Sequence, residues 1–193
     1  MAQRLRVAIY TLIAVALASA PWSVLAQPPD RDTTQARSIT HAPEIDVEAL
    51  LSGVRERGPT HVLRQLLSKR STREELLKRT ASGTPKWVEL SIALVRVAKA
   101  DFRRELRVAL EDALVVSSKN TLKHLSANRS AMSMVCGRSA HQNSELAANS
   151  LDERLSAVLT LRMGEQDNKD VLKIIDMCAD RLEKADVLRH QKN

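Results

Sequence analysis

The sequence predicts an all-α fold, a compact bundle of about seven or eight short-to-medium helices in helical hairpins, tied by one disulfide. Three observations carry that expectation. Apolar residues recur at helical spacing from residue 45 onward. No run alternates with period two, and no Asn-Gly or Asp-Gly hairpin turn occurs. The five glycines lie outside the predicted helix interiors or near their ends, and Gly58-Pro59 and Gly83 with Pro85 separate one periodic segment from the next.

The chain opens differently. Arg4 and Arg6 precede an apolar stretch, Val7 to Ala20, and Pro21 follows it. Val24 and Ala26 place small residues at the −3 and −1 positions before Gln27. That is the layout of a cleaved secretory signal over residues 1–26, expected to leave a periplasmic or secreted protein. The apolar stretch is shorter than the roughly 20 residues that span a bilayer. No later segment is long and apolar enough to do so, so no transmembrane segment is expected in the mature chain. Residues 27–43, "QPPDRDTTQARSITHAP", are polar and aperiodic and read as a flexible leader.

A single helical domain is expected over residues 44–190. Ile45, Val47, Leu50, Leu51 and Val54 mark one face of a first helix, and Gly58-Pro59 ends it. Val62, Leu63, Leu66 and Leu67 make a short second helix. "STREELLKR" starts a third, with Ser71 and Glu74 spaced as a capping box. In "ASGTP", Gly83 suits a left-handed stop, Thr84 a cap and Pro85 a first helical position. The fourth helix, from Trp87 to Val97, is apolar around much of its circumference, so it should be central.

Phe102, Leu106, Leu110, Ala113 and Leu114 mark a fifth helix, and "SSKNTLKHL" a short sixth. Residues 126–148 are small, polar and mixed, and read as irregular. "SLDERLSAVLTLRM" forms a further helix with a second capping box, Ser150 and Glu153, and Gly164 stops it. The last helix has Asp167 as candidate cap, with Val171, Leu172, Ile174, Ile175, Cys178, Leu182 and Ala185 as its buried stripe.

Cys136 and Cys178 are the only cysteines. In an oxidising compartment they make one available bridge. Their spacing with His141 matches no standard zinc pattern, and no C-x-x-C redox pair is present. A disulfide staple is therefore the expectation. Loop-closure entropy assigns such a bridge roughly 4 kcal/mol.

Composition narrows function further. Removing residues 1–26 leaves 167 residues with net charge +5, since Arg4 and Arg6 leave with the signal. Trp87 and Phe102 are then the only aromatic side chains of the Phe, Tyr and Trp class. A base-stacking platform for single-stranded nucleic acid is thereby excluded, and no sequence-specific nucleic-acid partner is expected. Residues 55–79 hold eight basic and three acidic groups. Arg64, Lys69, Arg70, Arg73 and Arg79 form a candidate basic binding face there, with a solvated helix face as the plainer reading.

No nucleophile elbow, metalloprotease helix, phosphate loop or dinucleotide fingerprint occurs, and no catalytic residue, metal site or cofactor is assigned. The five histidines are scattered. The expectation is a non-catalytic exported binding protein with a protein partner, of which an immunity-type inhibitor is one concrete form. The alternative is an envelope-associated structural or stress factor that meets anionic surfaces through the basic face. An enzyme is the third and least supported class. The mature N-terminus should be Gln27, cyclised or not, and the intact mass of protein recovered from the periplasm checks it. A mass that retains residues 1–26 overturns the cleavage.

Overall fold

A computed structural model describes residues 45–191. The expected signal, with Val24, Ala26 and Gln27, and the expected leader lie outside the described residues. Among the described residues the fold is all-α, with nine helices: α1 Val47–Arg57, α2 Pro59–Leu67, α3 Arg70–Ala81, α4 Pro85–Val95, α5 Ala100–Val116, α6 Ser118–Ser126, α7 Arg129–Val135, α8 Ser144–Gly164 and α9 Lys169–His190.

Two apolar clusters form the core, and α4 and α5 belong to both. Trp87, Leu90, Leu94 and Val95 of α4 face the first cluster, with α1, α2, α3 and the start of α5. Val88 and Ile92 face the second, with α6 to α9 and the rest of α5. This is why α4 is apolar nearly all round: both of its sides are interior. Along α5 the side changes with position. Phe102 and Leu106 serve the first cluster, while Leu110, Ala113 and Leu114 serve the second.

Helices α3 and α5 lie side by side in the same direction. Arg73 meets Glu105 near their starts, and Gly83 meets Ser117 at their ends. Helix α4 returns antiparallel to both, and a buried hydrogen bond of 2.6 Å between Thr80 Oγ1 and Ser91 Oγ ties it to α3. Helices α8 and α9 form an antiparallel hairpin, with Arg162–Asp176 near the turn and Arg189–Asp152 near the open end.

Several local expectations are corrected. The Ser71–Glu74 capping box does not form. Lys69 occupies the N-cap of α3 without a side-chain cap bond, and Glu74 pairs with Arg70 instead. Ser150 does not start a helix, because α8 begins six residues earlier, capped by Asn143. Asn168, not Asp167, caps α9. The stretch 126–148 is not irregular throughout: it contains α7, capped by Asn128, and the first turn of α8. Helix α4 ends at Val95, before Val97. Thr84 sits at its N-cap without a cap bond, its hydroxyl turned to Ser82. In α9 the stripe is narrower than expected, since Val171, Leu172 and Ile174 are only half-buried.

The turn at Gly83 fits glycine for two reasons. Its φ is +70°, in the left-handed region, and a Cβ there would come within 2.5 Å of the Ser117 Cβ. Gly83→Ala should therefore lower stability by about 2–4 kcal/mol, read as a shifted urea midpoint. Gly164→Ala is the comparison, since nothing lies within 4 Å of its added Cβ, and it should be neutral or slightly stabilising.

Candidate interaction surfaces

Three features of the fold carry chemistry: a buried polar network, a groove beside it, and the basic stretch.

The network begins with Glu111, fully buried on α5. Its carboxylate accepts hydrogen bonds from Ser139 Oγ (2.7 Å), the Ala140 amide (2.9 Å) and Ser150 Oγ (3.2 Å). Arg154, also fully buried, lies 3.8 Å from it and Arg107 3.9 Å. Arg154 donates to the carbonyls of Ser150, Val135 and Gly137. Arg107 donates to those of Met134 and Arg138. Burial pushes the Arg154 guanidinium down from its ordinary value, and the charge of Glu111 opposes that shift.

These groups hold the segment 136–143 in place. That segment has no helix of its own to satisfy its backbone, so side chains from α5 and α8 do so. Cys136 follows α7 and bonds to Cys178 of α9, both sulfurs buried. The expected staple is present, and its role is to close the polar segment onto the last helix. No cysteine is free, and no group of three potential metal ligands stands together among the described residues.

The held segment forms one wall of a groove of about 560 Å³ between α3, α5 and the start of α8. Leu77, Ala81, Val108, Ala109, Ala140 and Leu146 give it an apolar floor. Lys78, Asp112, His141 and Asn143 are on its polar rim. Leu146 is 53% exposed, unusual for a leucine on an otherwise polar helix start. Crowding around Asp112 removes water and raises its carboxyl above the ordinary value; His141 opposes this and Glu153 adds to it. Adjacent carboxylates thus take opposite roles: Glu111 points inward and is fully bonded, and Asp112 faces the groove.

The basic stretch is divided by its partners. Arg73 pairs with Glu105 through two nitrogens and lies 5.3 Å over the Phe102 ring. The hydrogen bond to Glu105 raises its already high pKa. Arg70 pairs with Glu74, and Arg79 with Glu75. Arg64 and Lys69 are exposed and have no carboxylate partner among the described residues. Three of the five cations are therefore paired with a carboxylate, and Arg64 and Lys69 are not. The sequence reading missed Glu111, Arg154 and the groove; the available signal was an Arg at helical spacing inside the apolar stripe of α8.

No protein-family model matches the chain, no curated protein matches its sequence, and no solved structure matches its fold.

Replacing both cysteines with Ala should cost a few kcal/mol and leave helical content near native. Arg154→Met should cost about 3–5 kcal/mol, because Glu111 loses the fully buried one of its two countercharges and the carbonyls of Val135 and Gly137 lose this donor. Chemical denaturation followed by circular dichroism measures both. Thiol titration of the denatured, unreduced protein should find no free thiol.

Proposed function

We propose that this chain is an exported, non-catalytic binding protein that takes a segment of a partner protein in the groove between α3, α5 and residues 140–146. An immunity-type inhibitor is one concrete form of this class. The observation that supports it is the groove: an open apolar floor with rim groups of both signs, one wall fixed by the disulfide and the Glu111–Arg154 network. A wall already held in place costs a partner little ordering entropy on binding. The open shape suits a protein segment better than a small molecule, which pockets enclose more fully.

Among the rim groups, Arg104 is paired with Asp101 and Glu105 with Arg73, which leaves Lys78, Asp112 and His141 for a partner's polar groups. The signal layout of residues 1–26 and the disulfide support export. No helix among the described residues is long and apolar enough to cross a membrane.

The test is affinity capture from periplasmic extract with tagged protein. A partner identified by mass spectrometry should be retained by the parent and by Lys69→Gln, and lost with Leu146→Glu. Because Leu146 is exposed, that variant should keep its far-ultraviolet spectrum. Equal capture by Leu146→Glu sinks the groove as the binding site.

A further inference from the structure

We infer that the end of the α3–α5 layer carrying the turns 68–69 and 96–99 is a docking surface for anionic lipid. The inference is independent of the groove, which lies along the side of the same layer.

The topology brings these turns together. Helices α3 and α5 start at this end, and α2 and α4 finish there. The Thr72 hydroxyl reaches back to the carbonyls of Leu66 and Lys69, which fastens the first turn to α3. Arg103 donates twice to the Ala98 carbonyl, which fastens the second to α5.

Charge at this end is left over after internal pairing. The carboxylates Glu74, Asp101 and Glu105 are taken by Arg70, Arg104 and Arg73. Arg64, Lys69, Arg96, Lys99 and Arg103 are exposed and have no carboxylate partner among the described residues. Lys69 and Lys99 even occupy the N-cap positions of α3 and α5, where the helix dipole disfavours a cation. Their own helices gain nothing from them there.

Two aliphatic side chains sit among these cations. Leu67 and Val97 are 41% and 37% exposed; Leu67 ends α2 two residues before Lys69, and Val97 is in the second turn between Arg96 and Lys99. Cations that reach lipid phosphates around a few aliphatic side chains that enter the acyl boundary make an interfacial binding surface. A nucleic acid would find no exposed aromatic ring here, since Phe102 is buried beneath Arg73. It would also give Leu67 and Val97 nothing to bind.

Vesicle sedimentation tests this with purified protein. The protein should pellet at low salt with phosphatidylcholine vesicles carrying about one-third phosphatidylglycerol, and not with phosphatidylcholine alone. Lys69→Gln with Lys99→Gln should weaken partitioning roughly 25-fold, at about fivefold per lost cation. Leu67→Ser with Val97→Ser should weaken it several-fold while the charge is unchanged. Lys169→Gln with Lys173→Gln, on α9, should leave it unchanged. Circular dichroism confirms that each exposed-site variant is folded. No binding at low salt overturns the inference, as does equal loss with the α9 variant. So does an oligonucleotide bound as tightly as the vesicles, with Leu67→Ser/Val97→Ser as effective as the parent on both.

Discussion

Glu111 carries a carboxylate into a core made mostly of Leu, Val, Ala, Ile and Met, and the C-terminal half is arranged around the cost of keeping it there. An unpaired buried charge would cost several kcal/mol. Three hydrogen-bond donors and two guanidinium groups offset that cost. The same guanidinium groups also satisfy carbonyls at the end of α7 and in the segment after it. One network thus solves two problems: a charge out of water, and a backbone segment without secondary structure.

The disulfide acts on the same segment from the other side. Arg154 and Arg107 hold its carbonyls against α8 and α5, and Cys136 ties its start to α9. The segment can therefore serve as a fixed wall for the groove although it has no helix. Ala140 illustrates the coupling, since its amide is bonded to Glu111 while the residue itself lines the groove.

The basic character of the N-terminal half divides along similar lines. Some cations serve the fold, such as Arg73, which bridges α3 to Glu105 and covers Phe102. Others, gathered where four helices begin or end, have no carboxylate partner among the described residues. A net charge counted along the chain cannot separate the two sets, because the carboxylate that neutralises Arg73 is 32 residues away.

The sequence by itself determined the all-α class, the central place of α4, the break at Gly58-Pro59, the turn at Gly83 and the pairing of the only two cysteines. These follow from local rules: apolar periodicity, the conformational freedom of glycine and the lack of a third thiol. Helix starts were less legible. Asn128, Asn143 and Asn168 each cap a helix through their side chains, whereas Ser71 and Ser150 match a capping pattern and do not cap. Ser150 finds a buried carboxylate from another helix instead, a partner that no local pattern contains. Only the tertiary structure decided which charges are buried, which are paired and which are left at the surface. Those outcomes depend on contacts between residues distant in the chain, and helical periodicity shows which side of a helix is apolar but not what the neighbouring helix brings to it.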